Sequence, residues 1–272
     1  MEQLTPLPQF VKFEANGQLS SEYGIAHNGQ VTVNWTPTSN DILYAKLYDI
    51  NGNVMSWDTV HAPEAPQPTG DWVDLGLPSG LLWATRNVGA SSPSDYGSYF
   101  AWGETSPKSM YNWDTYQYYT CGYQGDDYDC GYTKYCNQSS YGYFGYHDNL
   151  TILQPGDDAA TANYGGRMPT KEEWQELYNN CTSTWTTLNG VNGRCFTGPN
   201  GNSLFLPAAG YRWNDEIYNA GCDGCYWSSS LYTSDPYGAW YFDFYSGYYY
   251  MGIYGYRDSG QSVRAVRSAP QK

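Results

Sequence analysis

Few residues in this 272-residue chain are able to do acid–base or nucleophilic chemistry, and they are scattered. Histidine, the most frequent general base of enzymes, occurs only at His27, His61 and His147. The sequence has no GxSxG nucleophile motif, no HExxH zinc motif and no glycine loop that would cradle phosphate. Because covalent or acid–base catalysis needs a nucleophile and a base that the fold brings together, the sequence predicts that the protein is not an enzyme.

Cysteines and aspartates are the candidate metal ligands. Among seven cysteines, Cys222-Asp223-Gly224-Cys225 is a CxxC motif, but no second pair and no nearby histidine completes a four-ligand zinc site. Cys121, Cys130 and Cys136 share a Gly-, Tyr- and Asp-rich segment and could pair in an oxidising compartment. The odd number of cysteines does not form a complete disulfide framework.

Two acidic segments offer hard oxygen ligands for calcium. One contains Asp126, Asp127 and Asp129, and the other is Asp157-Asp158. The alternative is that these residues are solvated acids of surface loops. We predict that the protein needs no cofactor, and calcium remains the alternative.

Tyrosine is the residue type that the chain has in excess, with 30 Tyr and 11 Trp against 15% charged residues. Many lie between Tyr211 and Tyr256, interleaved with Gly, Ser, Asp and Asn. A tyrosine-heavy core is one interpretation, but a core does not need hydroxyl groups, and each buried hydroxyl requires a partner. Antibody paratopes have this mixture of rigid rings and small adaptable residues, so we expect a recognition surface, with Tyr211 and Tyr226 structural.

The strand pattern predicts which side chains reach solvent. From Trp240 to Tyr245, apolar rings alternate with side chains that are mostly polar-tipped, as in a half-buried strand. Gly252 and Gly255 are expected to break this alternation and allow a looped ligand face. The residues expected to point inward are Trp240, Phe242, Phe244 and Met251. Those expected to point outward are Asp243, Tyr245, Tyr248, Tyr250, Tyr254, Tyr256 and Asp258. The predicted ligand-binding set adds Trp213, Asp215, Tyr218, Asp223, Tyr237 and Ile253.

The charge balance restricts the partners. A formal net charge of −14, from 27 acidic and 13 basic residues, argues against binding DNA, RNA or an anionic membrane surface, because these require clustered Lys and Arg. No apolar run is long enough to span a bilayer. The first residues lack the basic and apolar regions of a signal peptide, so we expect none in this chain.

The elements that must position these residues fall into two parts. Residues 1–66 predict a small all-β module, with β-favouring runs at residues 10–14, 31–35 and 42–48 separated by Asn-Gly turns. A proline-rich linker at residues 61–68 ends it. Residues 71–268 predict one domain of short strands with a long loop at residues 111–148. Thr170 and Glu173 form a capping box that starts one clear helix, so we predict an α+β fold.

Three groups of segments resemble a known family. They are Asp71-Trp72-Val73-Asp74-Leu75-Gly76-Leu77-Pro78-Ser79-Gly80 with Trp83-Ala84-Thr85 and Tyr99-Phe100-Ala101-Trp102-Gly103-Glu104, then Gly166-Arg167-Met168-Pro169-Thr170-Lys171-Glu172-Glu173-Trp174, and finally Tyr226-Trp227-Ser228-Ser229-Ser230 with Gln261-Ser262-Val263-Arg264-Ala265-Val266-Arg267. The combination is similar to the "major paralogous domain" of gut-dwelling bacteria. That family has a C-type-lectin-like fold and is distantly similar to formylglycine-generating enzymes. The resemblance implies a C-type-lectin-like ligand-binding domain over residues 71–268.

Residues 211–259 further resemble the variable region of proteins targeted by diversity-generating retroelements. This resemblance implies that the tyrosine-rich segment is a diversified recognition surface. Trp213-Asn214-Asp215 also matches a short motif of sugar-binding C-type lectins. The surroundings of Cys222 and Cys225 do not match the copper-binding motif of the formylglycine-generating enzymes.

We therefore predict a non-enzymatic ligand-binding or receptor protein. Its expected partner is a protein or glycan on another cell surface, and its expected location is extracellular, on a cell surface or on a virion. The alternatives are a carbohydrate-binding surface adhesin and a structural subunit of a virion or cell-surface fibre. A glycan array at defined calcium tests the adhesin, and binding that does not depend on residues 243–258 would favour the structural subunit.

Overall fold

The computed structural model describes residues 71–269 without interruption and, before them, five strands between residues 10 and 61. The chain divides into two compact units, Met1–Glu64 and Ala65–Lys272. This division falls within the proline-rich segment that the sequence assigns to a linker.

The strands of the first unit form one antiparallel sheet of order β2–β1–β4–β5, and β3 also pairs with β1. Their bounds are β1 (Phe10–Ala15), β2 (Gln18–Leu19), β3 (Tyr23–Gly24), β4 (Ile42–Tyr48) and β5 (Val54–His61). Asn-Gly pairs separate β1 from β2 and β4 from β5 in the sequence, as is typical of hairpin turns. The strand predicted at residues 31–35 lies outside the described residues.

The described part of the second unit contains fifteen short strands and two α-helices. The strands are β6 (Trp72–Asp74), β7 (Leu81–Ala84), β8 (Tyr99–Phe100), β9 (Tyr119–Gln124), β10 (Asp127–Tyr132), β11 (Thr182–Leu188), β12 (Val191–Thr197), β13 (Ser203–Pro207), β14 (Tyr211–Trp213), β15 (Glu216–Tyr218), β16 (Gly224–Leu231), β17 (Gly238–Phe244), β18 (Tyr249–Tyr256), β19 (Gln261–Ser262) and β20 (Val266–Ser268). The helices are α1 (Ala159–Asn163) and α2 (Lys171–Asn180).

These strands form five small sheets. Two sheets have three strands, in the orders β20–β7–β6 and β11–β12–β13. Two are hairpins, β9–β10 and β14–β15. The fifth is a five-stranded sheet of order β18–β17–β16–β19–β8, antiparallel except where β16 pairs with β19.

Helix α2 packs on one face of the five-stranded sheet, and its predicted start is confirmed. The Thr170 hydroxyl accepts a hydrogen bond from the Glu173 backbone N–H over 3.3 Å, and the Glu173 carboxylate accepts one from the Thr170 N–H over 2.8 Å. Trp174 is fully buried, and its ring stacks on Phe242 of β17 with 4.9 Å between centroids. This contact fixes the face of β17 that points inward.

The predicted fold class, an α+β domain of C-type-lectin-like fold, is wrong. The described chain is mostly β, with several small sheets and two short helices. The α+β prediction rested on α2, which the capping box makes conspicuous in the sequence, but α2 has only ten residues. Strand β16 is buried at every position, so it lacks the alternation that reveals a half-buried strand in a sequence.

The segment predicted as a long loop at residues 111–148 contains the hairpin β9–β10 and short 3₁₀ turns. Cys121 and Cys130 stand opposite each other in this hairpin and form a disulfide, while Cys136 is a buried free thiol. The sequence could not decide this pairing, because it depends on the register of two strands. No helix in the described residues is long and apolar enough to cross a membrane.

Candidate ligand-binding surface

Strands β16, β17 and β18 place a polar row on the sheet face opposite to Phe242. Cys225 stands opposite Asp243, and Asp243 stands opposite Tyr250. Side chains alternate along a strand, so these three point away from the core that contains Trp174. The Tyr250 hydroxyl donates a hydrogen bond to Asp243 Oδ2 over 2.8 Å, and the Cys225 thiol lies 3.9 Å from Asp243 Oδ1.

Burial raises the pKa of all three groups in this row. Burial raises the pKa of Asp243, the hydrogen bond from Tyr250 opposes that shift, and the negative charge of Asp223 adds to it. Burial, followed by the hydrogen bond to Asp243, raises the pKa of Tyr250 to about 12. Burial and then the charges of Asp243 and Asp223 raise the pKa of Cys225 well above its ordinary value. A thiol that stays protonated is a poor nucleophile, so the row offers hydrogen-bonding groups rather than a reactive cysteine.

The hairpin β14–β15 adds aromatic rings beside this row. Tyr211 and Tyr218 stand opposite each other, and their rings stack with 5.6 Å between centroids. The Trp213 ring lies 6.3 Å from that of Tyr218 and is 50% exposed. Gly210 joins the hairpin to β16 because its N–H donates to the Asp223 carbonyl over 2.7 Å. Its φ is +64°, and a Cβ would lie 1.9 Å from the Tyr218 carbonyl oxygen, so this junction requires glycine.

Tyr211 and Asp223 connect the hairpin to the sheet. Burial raises the pKa of Tyr211, and the nearby Cys225 and Asp223 add to the shift. The Asp223 carboxylate accepts a hydrogen bond from Asn219 Nδ2 over 2.7 Å. The hairpin rings and the polar row are therefore neighbours.

Exposed rings lie in and beside the turn between β17 and β18. Tyr248 is 57% exposed and Tyr250 is 38% exposed, with 5.8 Å between their ring centroids. The buried Arg194 supports this turn from β12, since Nε donates to the Tyr245 carbonyl and Nη2 to the Ser246 carbonyl, both over 3.1 Å. The exposed side chains of the turn thus rest on a fixed backbone.

We name this region the tyrosine surface. Eight residues of the predicted ligand-binding set belong to it: Trp213, Asp215, Tyr218, Asp223, Asp243, Tyr245, Tyr248 and Tyr250. Sequence reasoning missed three further members, Tyr211, Cys225 and Tyr241. The two-residue spacing of Tyr211 and Trp213 could have placed both on one strand face, whereas Cys225 is found only from the register of β16 against β17.

Two other predicted residues, Tyr237 and Tyr256, lie in a separate aromatic cluster. Their rings are 5.8 Å and 6.3 Å from that of Trp113, and Tyr237 also contacts Tyr132 and Tyr141 at 5.7 Å and 5.3 Å. The structure therefore divides the predicted set between the tyrosine surface and a cluster built with the 111–148 segment.

The buried Arg257 attaches that cluster to the rest of the unit. Its guanidinium lies 4.2 Å from the centre of the Tyr132 ring. It donates to the backbone carbonyls of Lys134, Tyr135 and Pro236 at 3.0–3.2 Å. Planar stacking and several donors suit arginine to this position.

The predicted outward orientation is confirmed for Tyr245, Tyr248, Tyr250 and Tyr256, which are all exposed. It is wrong for Asp258, which is only 2% exposed because the chain turns into the core directly after β18. Asp243 is half-buried. The side chains of Ile253 and Tyr254, also in the predicted set, lie outside the described residues.

The predicted inward orientation is confirmed for Phe242 and Phe244, which are fully buried. Trp240 and Met251 are half-buried, and the Lys171 ammonium covers the Trp240 ring at 4.8 Å. The predicted looped ligand face at Gly252 and Gly255 is wrong, because β18 runs through both. The predicted break in the alternation is confirmed, since the register of β18 against β17 shifts between these two glycines.

The glycines of β18 instead accommodate the ring of Tyr241. A Cβ at Gly252 would lie 2.4 Å from that ring. A Cβ at Gly255 would lie 2.6 Å from the Trp227 ring and 2.9 Å from that of Tyr241. Burial and then the nearby charge of Asp243 raise the pKa of Tyr241, so both glycines pack against a ring that adjoins the polar row.

The acidic residues that suggested calcium bind other groups of the chain instead. Asp157 binds Lys134, Tyr118 and Tyr135, and Asp158 caps α1. Asp129 accepts a hydrogen bond from the Phe144 N–H over 2.5 Å. Within residues that the structure describes, no three His, Cys, Asp or Glu side chains form a group that could hold a metal ion.

Comparison with known proteins gives one match. A family model described as a domain of unknown function (DUF8237) matches residues 196–266. The matched segment runs from β12 to the first residue of β20, and it contains every residue of the tyrosine surface. No curated protein and no solved structure matches the chain.

Proposed function

We propose that this protein is a non-enzymatic binding protein that holds its partner on the tyrosine surface. The observation that carries the proposal is the set of exposed rings, Trp213, Tyr248 and Tyr250, next to the half-buried carboxylate of Asp243. Tyrosine and tryptophan rings dominate the binding energy of many protein interfaces. Each offers a large apolar face together with a polar group at its edge.

The core packing behind the tyrosine surface supports the proposal. Phe242 and Phe244, on the opposite face of β17, are fixed in the core against Trp174 and Tyr226. A ring held on a packed strand loses little further conformational freedom when a partner binds. The raised pKa of the Cys225 thiol makes it a poor nucleophile, which favours binding over nucleophilic catalysis at this site.

The expected partner remains a protein or a glycan on another cell surface. The disulfide between Cys121 and Cys130 supports an extracellular or surface location, since disulfides persist mainly in oxidising compartments.

A screen of the whole chain against a peptide-display library and a glycan array tests this proposal. Bound molecules are measured again with Tyr248→Ser/Tyr250→Ser and with a control, Tyr123→Ser/Tyr128→Ser, whose exposed rings lie 4.9 Å apart on β9–β10. We expect the first variant to lose at least about tenfold in affinity and the control to bind as wild type, with both melting as wild type. Equal losses in the two variants, or a loss only in the control, would contradict the proposal.

A further inference from the structure

Basic side chains in this protein are consistently placed over aromatic rings. Of ten Lys and Arg residues between positions 71 and 269, eight lie 4.2–5.8 Å from the centre of a ring. They are Arg86, Lys108, Lys134, Lys171, Arg194, Arg212, Arg257 and Arg267. The other two also have oxygen partners, since Arg167 pairs with Glu173 and Arg264 donates to Asn87. Every Lys and Arg between residues 71 and 269 therefore already has a partner inside the chain.

The outer rings of the tyrosine surface have no such cation. None of the described Lys and Arg residues lies over Trp213, Tyr218, Tyr248 or Tyr250. Arg212 stands opposite Ile217 in the β14–β15 register, on the other face of the hairpin from Tyr218. The rings of this surface thus present electron-rich faces that the described part of the chain leaves open.

The carboxylates of the tyrosine surface likewise have no described Lys or Arg as a partner. Asp223 is hydrogen-bonded by the neutral amide of Asn219, and Asp243 by the neutral hydroxyl of Tyr250. Neither forms an ion pair with a described Lys or Arg. Asp215 and Glu216 add two more exposed acids on the hairpin.

We infer that the tyrosine surface binds an arginine side chain of a basic protein segment. This inference rests on the proposed function and specifies its partner. A guanidinium stacks on a tyrosine ring and donates in a fork to carboxylate oxygens, which matches Tyr250 beside Asp243. Partial burial of Asp243 strengthens its attraction for a cation relative to an acid in bulk water. The net charge of −14 also accelerates the approach of a basic partner.

The test uses a fluorescent peptide with four arginines separated by Gly and Ser, and a counterpart with citrulline in place of arginine. Their affinities for the whole chain are measured by fluorescence anisotropy. Asp223→Asn/Asp243→Asn is compared with Asp126→Asn/Asp127→Asn, which removes the same charge at the exposed tip of β9–β10. We expect the citrulline peptide and the first variant each to bind at least about tenfold more weakly, while the control variant stays within about twofold of wild type.

Three results would overturn the inference. The arginine peptide fails to bind, the citrulline peptide binds equally well, or both variants lose the same affinity, as diffuse attraction to the net charge would produce. Neutral molecules from the library screen show whether only the arginine inference fails or the proposed binding function fails as well. If they bind and require Tyr248 and Tyr250, the arginine partner is excluded while the binding function stands.

Discussion

Arg257 and Asp258 are adjacent buried residues whose polar groups differ in their hydrogen bonding. The guanidinium of Arg257 donates to three carbonyls and to the Tyr116 hydroxyl. Asp258 Oδ1 has no hydrogen-bond partner, and burial raises the pKa of this carboxyl to about 6. The arginine therefore stabilises the base of the aromatic cluster, while an ionised Asp258 destabilises it.

Asp258 should make the stability of the protein depend on pH. Because its pKa is raised in the folded state, the unfolded chain ionises first, and the free energy of unfolding should fall as pH rises from about 4 to about 6. We expect Asp258→Asn to remove on the order of 2 kcal/mol of this fall. Denaturant unfolding at pH 4, 5, 6 and 7 measures it, with the exposed Asp126→Asn as control. Equal pH dependence in wild type and Asp258→Asn would contradict the assignment.

Strand β18 shows how an element can be shaped by its neighbour. The Tyr241 ring lies over Gly252 and Gly255, where any side chain would collide with it. The strand also contains a register shift against β17, between Ala239 and Tyr241. These features let β18 pass close to Tyr241 while Tyr250 stays exposed.

Gly252→Ala should displace the Tyr241 ring and thereby disturb the tyrosine surface. The new methyl would lie 2.4 Å from the Tyr241 ring, so the ring must move, and we expect a loss of about 1–3 kcal/mol in unfolding free energy. Gly156→Ala is the matched control because nothing lies within 4 Å of its Cβ position. Denaturant unfolding compares the two variants. Wild-type stability in Gly252→Ala would show that Tyr241 is not confined by this glycine.

Helix α2 allows its cap and its core contact to be tested separately. Thr170→Ala should reduce the free energy of unfolding by about 1 kcal/mol, because it removes one cap hydrogen bond. Trp174→Ala should cost about 3–5 kcal/mol, because it removes a fully buried ring stacked on Phe242. Thermal and denaturant unfolding measure both. Negligible effects in both variants would mean that α2 does not stabilise the unit.

Features that depend on neighbours in the sequence were the easiest to predict. The capping box of α2 and the alternation of Phe242, Asp243 and Phe244 are local, and both are confirmed. The pairing of Cys225 with Asp243 requires strand register, which the sequence does not display. The burial of Asp258 requires the path of the chain after β18. The fold class failed for the same reason, because it depends on how short strands assemble.

The whole molecule combines a net charge of −14 with a tyrosine surface whose residues lie between positions 211 and 250. If this segment is diversified by a retroelement, as its resemblance implies, the genome should hold a near-copy of its coding sequence next to a reverse-transcriptase gene. The copies should differ at adenines, and the affected codons should include those of Tyr248 and Tyr250. Sequencing the locus checks this. A single copy without a neighbouring reverse transcriptase would contradict diversification and leave the binding proposal in place.

Residue-resolved footprinting tests the binding role of the tyrosine surface most directly. The whole chain is oxidised by hydroxyl radicals, free and saturated with the tightest peptide or glycan from the screen, and each tyrosine is quantified by mass spectrometry. We predict protection of Tyr248 and Tyr250 on binding, with Tyr123 and Tyr128 unchanged. Protection confined to Tyr123 and Tyr128, with Tyr248 and Tyr250 equally reactive in both states, would contradict the binding role of the tyrosine surface.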